Sequence, residues 1–199
     1  MSGTSTSKEF AHIGGGRFFI NGVDTTTKGI DIVATWPMTT NSVGKFDFTI
    51  AGNFNRTTVN MVRQTKELGE LKPAPVLFGR INVLAYERGQ PKNKINASVD
   101  WKLGAFASTL RATRYGEVLD PGATAATDQV LSPKTVVDFE LRYALNQKLK
   151  LAVGADNVFD VYPDARGYLL NPSGATSFSN YSPFGRSGRF VYARLTYSM

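Results

Sequence analysis

The sequence predicts an all-β protein, an antiparallel up-and-down transmembrane β-barrel segment of about seven strands with one short helix in a long loop. Apolar and polar residues alternate with period two along seven stretches, most of them about ten residues long. The connections between these stretches alternate between short turns and long loops. Such strands and such unequal connections are typical of outer-membrane barrels, in which one strand face meets lipid and the other meets water.

The last stretch shows the alternation most clearly. In residues 188–199, one face carries apolar side chains, and the other is mixed and polar. The apolar face holds Val191, Ala193, Leu195, Tyr197 and Met199. This pattern predicts a strand that runs to the end of the sequence and stops on an apolar residue.

Six earlier stretches alternate in the same way and predict six more strands. They cover residues 30–38, 46–54, 95–103, 106–113, 137–145 and 149–159. Between the second and third stretches, Leu77, Ile81 and Leu84 are spaced as on one side of a helix. We therefore expect a short helix from about Pro75 to Arg88, ended by Gly89 and Pro91.

The connections fall into two classes that strictly alternate along the chain. Short turns occupy residues 39–44, 103–105 and 146–148, and long loops occupy residues 56–91, 119–133 and 160–187. Aromatic residues lie near the short-turn ends of their strands, as in an interfacial girdle. These are Trp36, Trp101, Tyr143 and Tyr197.

The number of strands predicts how the chain relates to a whole barrel. Single-chain bacterial barrels have an even number of strands and short periplasmic turns. Seven strands with a periplasmic C-terminus place the first strand's start on the external side. We therefore expect the C-terminal portion of a larger barrel, with a polar, Gly-rich external entry segment at residues 1–23 and barrel strands in residues 24–199.

Composition excludes several classes of site. The chain has no cysteine and a single histidine, His12, so thiolate metal sites and histidine-based triads are not expected. The net charge is +7, but the basic residues form no run, which favours a solvated surface over nucleic-acid binding. No stretch approaches the ~20 apolar residues of a membrane helix, and the first residues lack a signal-peptide pattern. We expect no catalytic residues, no cofactor and no metal ion.

Two groups of residues are candidate contact sites. Charged residues on the polar faces of neighbouring strands predict a lumen-facing ladder of cross-strand ion pairs, which we favour over acid–base catalysis. The ladder comprises Asp100, Lys102, Arg111, Asp138, Glu140 and Arg142. Basic and aromatic residues of the last long loop are possible contacts for an anionic ligand, namely Arg166, Tyr168, Tyr181 and Arg186.

Five stretches, in order along the chain, resemble the C-terminal barrel of TonB-dependent outer-membrane receptors. They are FFINGVDTTTKGID at 18–31, ERGQPKNK at 87–94, RYGE at 114–117, DNVFD at 156–160 and YSPFGRSGRF at 181–190. The resemblance implies active uptake of a scarce nutrient, such as a ferric siderophore, haem or cobalamin, through a plugged barrel of about 22 strands. The energy comes from the inner-membrane TonB complex.

The resemblance also implies a set of partners. We expect outer-membrane lipid and lipopolysaccharide, the N-terminal barrel strands and plug of the same receptor, and the barrel-assembly machinery. The TonB complex would act only through segments outside this sequence. The assembly signal would comprise Leu195, Tyr197 and Met199, although the family usually ends in an aromatic residue and this chain ends in methionine.

Two other classes remain open from the sequence. One is a self-contained small outer-membrane barrel with a structural or enzymatic role, which would need an eighth strand and, for an enzyme, a catalytic set. The other is a soluble β-rich binding module whose apolar strand faces pack against each other. Heat-modifiable migration and a requirement for detergent would separate the membrane proteins from the soluble one.

Overall fold

The computed structural model describes residues 22–63, 66–70 and 72–198, and in them one seven-stranded antiparallel sheet dominates the fold. Each strand of this sheet pairs with the next one in chain order. The strands are β1 (Val23–Thr40), β2 (Gly44–Val62), β3 (Asn93–Leu103), β4 (Phe106–Tyr115), β7 (Lys134–Ala144), β8 (Leu149–Asp156) and β9 (Phe190–Tyr197). The sheet order is β1-β2-β3-β4-β7-β8-β9, so the predicted seven-stranded meander is confirmed.

The strand register gathers all the apolar stretches on one side of the sheet. Trp36 lies opposite Phe48, and Phe48 lies opposite Val99 on the next strand. The same row continues through Leu110, Phe139, Ala155 and Val191. We call this side the apolar face and the other side the polar face. A one-residue slip at any pairing would move a whole strand's apolar residues to the wrong side, so the shared pattern defines the register.

The apolar face is exposed. Ile32, Trp36, Ile50 and Val191 each expose more than half of their surface, and no second sheet or helix layer covers them in the described residues. A soluble sandwich would bury such a face against another sheet. An uncovered apolar face is instead typical of a strand array that faces lipid.

The sheet has two unpaired edge strands, β1 and β9. β1 pairs only with β2, and β9 pairs only with β8, among the strands that the structure describes. In that part of the chain no helix is long and apolar enough to cross a membrane.

The long connections carry the remaining elements. They include helices α1 (Lys66–Gly69) and α2 (Arg80–Arg88) and a small hairpin of β5 (Val118–Asp120) and β6 (Gln129–Leu131). The tightest packing lies here, because Val118, Leu119 and Leu131 of the hairpin are almost fully buried. The three short connections are turns at 41–43, 104–105 and 145–148.

Several predicted boundaries differ from the structure. β1 and β2 extend past the predicted strands because Thr27 and Thr57 pair through their hydroxyl groups at 2.8 Å in a segment that is polar on both faces. Alternation does not mark such a segment. The helix begins at Arg80 rather than Pro75, and Val76 and Leu77 before it stay exposed, so no packing holds an earlier turn. The predicted loop at 119–133 contains the β5–β6 hairpin.

Candidate functional site

The polar face arranges its charges in two rows across the sheet. One row contains Lys45, Lys102, Arg142 and Arg194, with Ala107 and Ala152 between them. The next row, one step towards the long loops, contains Asp47, Asp100 and Glu140, with Thr109, Gly154 and Tyr192. A basic row therefore runs beside an acidic row.

Arg142 of β7 joins these rows. Its Nη2 donates to Thr109 Oγ1 at 2.7 Å and lies 3.7 Å from Asp100 Oδ1, while its Nε lies 3.5 Å from Glu140 Oε1. Thr109 in turn donates its hydroxyl hydrogen to Asp100. These contacts connect β3, β4 and β7 across the polar face.

Glu140 extends the network to β9. Its Oε2 accepts hydrogen bonds from Tyr192 Oη and Arg194 Nη2, both at 2.9 Å. The Tyr192 ring crosses β8 at Gly154, where an added Cβ would lie 2.6 Å from the tyrosine Cζ and hydroxyl oxygen. Glycine at this position thus lets the tyrosine reach a carboxylate two strands away. We call Asp100, Thr109, Glu140, Arg142, Tyr192 and Arg194 the charge network.

The structure brings together three of the six residues predicted for the lumen-facing ladder, Asp100, Glu140 and Arg142. All six lie on the polar face, but no ion pair of Lys102 or Arg111 occurs in the described residues. Asp138, the cross-strand partner of Arg111, accepts a hydrogen bond from the Asn157 backbone N–H at 2.9 Å. Contact of this ladder with a plug stays a prediction.

The alternation in residues 188–199 predicts Tyr192 and Arg194 on the polar side of the last strand but does not connect them with Glu140. The period-two pattern gives the face of each residue. It does not give the partner strand, because the register between β7, β8 and β9 depends on connections whose length the sequence leaves open.

A cleft of about 710 Å³ opens beside the basic row, near the short turns. Five basic side chains line it, together with Asp47 and Asp100. The basic ones are Lys45, Lys102, Arg142, Lys150 and Arg194. This excess of positive charge suits an acidic protein surface or another anion.

At the other end of the sheet, the first two long connections are tied by an ion pair. Arg80 of α2 lies 2.6 Å from Asp128 and also donates to the Gly122 carbonyl oxygen at 2.7 Å. Asp128 in turn accepts from the Gly122 backbone N–H at 2.9 Å. The hydrogen bond from Arg80 is the main reason that the pKa of Asp128 lies below its usual range.

The third long connection is tied to the hairpin. Gln129 donates to the Ala165 carbonyl oxygen at 2.7 Å and accepts from the Gly167 N–H at 2.8 Å. Asp164 lies 2.6 Å from Lys134 and accepts from Ser132 Oγ at 2.7 Å. Burial alone would raise the pKa of Asp164, but the hydrogen bonds from Lys134 and Ser132 outweigh burial and lower it. The long connections therefore form one joined loop cluster.

The four loop residues predicted as ligand contacts are not gathered in one place. Arg166 is used inside the loop cluster, since its Nε lies 3.1 Å from the buried Asp120 carboxylate. Tyr181 packs against Gly89 at the end of α2, and Arg186 donates to Asn180 at 3.1 Å. Tyr168 is 77% exposed. Ligand contact by any of the four stays a prediction.

Of the predicted assembly signal, Leu195 and Tyr197 lie exposed on the apolar face of β9. Met199 lies outside the described residues, as do His12 and residues 18–21 of the first resembling stretch. The described residues contain no group of three or more metal-ligating side chains.

Comparison with known proteins relates this architecture to a protein family. A family model described as TonB dependent receptor-like, beta-barrel matches residues 4–158. No curated protein matches the chain.

Two solved structures show the same fold. The ferripyoverdine receptor of the outer membrane of Pseudomonas aeruginosa is 12% identical with a TM-score of 0.52, over 87% of this chain and 20% of the receptor. A chain described as the copper transporter OprC is 15% identical with a TM-score of 0.52, over 89% of this chain and 24% of the transporter. This chain thus spans about a fifth to a quarter of their length. Because the family model covers most of the sequence, the chain belongs to the TonB-dependent receptor family, in its β-barrel part.

Proposed function

We propose that this chain is the C-terminal part of the barrel of an outer-membrane receptor that actively takes up a scarce nutrient. The nutrient class would be a ferric siderophore, haem, cobalamin or a similar compound. Family membership supports this proposal, as does the fold shared with an outer-membrane ferripyoverdine receptor and a copper transporter. These relatives are receptors and transporters, and we propose no catalytic role for the chain.

The observation that carries the proposal is the separation of the two faces across all seven strands. The apolar face suits contact with lipid, and the polar face, with its charge network and basic row, suits a wet interior filled by a plug. The two open sheet edges would pair with further strands of the same receptor, since an unpaired edge exposes backbone groups that lipid cannot hydrogen-bond.

The orientation follows from the connections. We propose that the short turns and the C-terminal end of β9 face the periplasm, and that the loop cluster faces outwards. Residues 24–199 would then be barrel, and residues 1–23 an external entry segment. TonB would act on the plug rather than on this chain.

An uptake assay tests the proposal. The full reading frame that encodes this chain would be expressed in cells lacking other receptors of the family, with TonB present or deleted. Labelled ferric siderophores, haem and cobalamin would be supplied separately at nanomolar concentration. We expect TonB-dependent accumulation of one of them. Accumulation of none, or equal accumulation without TonB, would contradict the proposal.

A further inference from the structure

The two ends of the polar face differ in charge. The end near the short turns carries the basic and acidic rows described above. Towards the long loops, one row of cross-strand partners contains Asp31, Asn53, Lys94, Tyr115 and Lys134. Lys134 is paired with Asp164 at 2.6 Å, which leaves one negative charge, on Asp31, and one positive charge, on Lys94. This row therefore carries no excess charge of either sign.

Neutral polar side chains form a hydrogen-bonded group at this end of β1 and β2. Asn55 Nδ2 donates to Asn53 Oδ1 at 2.7 Å, and Asn53 Nδ2 donates to Asp31 Oδ1 at 2.6 Å. The hydroxyl groups of Thr27 and Thr57, one same-face step beyond Asn55, lie 2.8 Å apart. We call Thr27, Asp31, Asn53, Asn55 and Thr57 the amide–hydroxyl array.

The array keeps hydrogen-bonding groups free for a ligand. Each asparagine uses one of its two amide hydrogens, and Asn55 Oδ1 and Asp31 Oδ2 have no partner among the described residues. The residue opposite Asn55 is Gly29, so no side chain of β1 covers this amide. Amide and hydroxyl groups both donate and accept, so they can satisfy the free donors and acceptors together. A carboxylate or catecholate only accepts, and the Asp31 charge would repel it.

An aromatic pair borders the same row. The rings of Tyr115 and Phe184 stack with their centroids 5.6 Å apart, and Lys94 Nζ lies 5.2 Å from the centroid of the Tyr115 ring. Phe184 belongs to the third long connection, so the pair lies where that connection meets the sheet. Tyr115 is two strands from Asn53, a distance of about 10 Å. A ligand of that width would contact the array on one side and the aromatic rings on the other.

From this arrangement we infer that the long-loop end of the polar face binds an uncharged ligand rich in amide and hydroxyl groups. The amide–hydroxyl array hydrogen-bonds the amides and hydroxyls at the ligand's periphery, and Tyr115 and Phe184 pack against its apolar part. The inference rests on the proposed function and narrows it, because an anionic ferric catecholate, or haem with its carboxylates, does not match the free donors and acceptors of the array.

Equilibrium binding to the detergent-solubilised receptor that contains this chain tests the inference. The probes are cyanocobalamin, an uncharged ferric trihydroxamate, an anionic ferric catecholate and haemin, each added alone. The test variant N53L/N55L removes two amides at similar side-chain volume. The control variant T49V/S98A removes two hydroxyls from a cross-strand pair of the same face that makes no side-chain hydrogen bond within the described part of the chain. We expect one uncharged probe to bind the parent and the control equally, and the test variant at least tenfold more weakly.

The inference is overturned if neither uncharged probe binds, if the catecholate or haemin binds more tightly than both, or if the two variants lose affinity equally or not at all. Heat-modifiable migration verifies that each variant is folded. If the double variant does not fold, Asn55→Leu alone is expected to weaken binding about fivefold.

The uptake assay separates a failure of this inference from a failure of the proposed function. TonB-dependent uptake of only the catecholate or haem would overturn the inference and leave the proposed function standing. Absence of TonB-dependent uptake of every probe would contradict the proposed function itself, and the inference with it.

Discussion

At the scale of single residues, Gly154 and Tyr192 show how one missing side chain organises the polar face. The tyrosine ring lies where a Cβ on residue 154 would be, and its hydroxyl group reaches Glu140 on β7 at 2.9 Å. An aromatic ring over a cross-strand glycine is a known way of fixing register in sheets. Here it also places a hydrogen-bond donor on a carboxylate that is mostly buried.

This geometry predicts that substitutions of Gly154 and Tyr192 have non-additive effects on the free energy of unfolding. Gly154→Ala should displace the tyrosine ring and lose the hydrogen bond to Glu140, and Tyr192→Phe should lose the same bond. Each is expected to lower the free energy of unfolding by about 1 kcal/mol. The double variant should cost no more than the larger single effect, as measured by denaturant unfolding in micelles. Additive losses would show that the two residues act independently.

The Arg80–Asp128 ion pair predicts a pH dependence of the loop cluster. Arg80 holds the pKa of Asp128 below its usual range. The Asp128 carboxylate therefore takes up a proton more readily when the ion pair is broken than when it is formed. The stabilisation is therefore present above about pH 4 and is lost as the pH falls through the lowered value. The lowered pKa of Asp164 likewise makes its contribution to stability fall as the pH decreases.

Amide hydrogen exchange at pH 6 and pH 3, corrected for the intrinsic rates, measures this effect. Protection of the β5–β6 hairpin should fall on acidification. In Arg80→Gln it should already be low at pH 6, and the change between the two pH values should be smaller. Arg186→Gln, in the last long loop, is the control and should retain the parent's response. An identical response in Arg80→Gln and the parent would contradict the role of this ion pair.

At the scale of elements, each strand of the large sheet has one face that suits lipid and an opposite face that suits water. Ile50 lies on the apolar face of β2 between Ala34 and Ala97, and its neighbour Thr49 lies on the polar face between Thr35 and Ser98. Adjacent residues of one strand therefore have opposite environments. This contrast gives a direct test within a single element.

A lysine at each position should have very different effects. Ile50→Lys is expected to cost about 2–4 kcal/mol of folding free energy in a bilayer, because the charge lies near the centre of the apolar band. Thr49→Lys should change it by less than about 1 kcal/mol, since its ammonium group meets a polar surface. Reversible unfolding in lipid vesicles measures both. Equal costs would contradict the assignment of the faces.

The strand pattern was predictable because period-two alternation is a local property of the sequence. Short turns predicted three of the six strand pairings, β1–β2, β3–β4 and β7–β8, because a short turn allows only antiparallel neighbours. The long-loop ends of β1 and β2 were not predictable, since Thr26–Lys28 and their partners on β2 are polar on both faces. The β5–β6 hairpin was missed because its strands have only three residues each, too few to show a period.

The candidate site was predictable only in part. Asp100, Glu140 and Arg142 were assigned to one face from alternation, and the structure joins them. The contacts of Thr109, Tyr192 and Arg194, which complete the charge network, were not foreseen, because they depend on the register between strands. Arg166 was expected to be open to ligand, but the buried partner Asp120, 46 residues away in sequence, engages it.

At the scale of the whole molecule, the chain is an open sheet with two unlike faces and two unlike ends. One end carries three short turns, and the other carries the loop cluster. The open edges of β1 and β9 are the places where the rest of a barrel would join. The proposed function therefore requires that the two ends of the sheet lie on opposite sides of the outer membrane.

Cysteine labelling in whole cells, in a receptor background without other cysteines, tests this placement directly, because residues 1–199 contain no cysteine. Ser42→Cys marks the first short turn, and Tyr168→Cys marks an exposed site in the last long loop. With a membrane-impermeant maleimide, we predict labelling of Tyr168→Cys in intact cells. Ser42→Cys should react only after the outer membrane is permeabilised. Labelling of Ser42→Cys in intact cells, or recovery of the protein in the soluble fraction, would contradict the account.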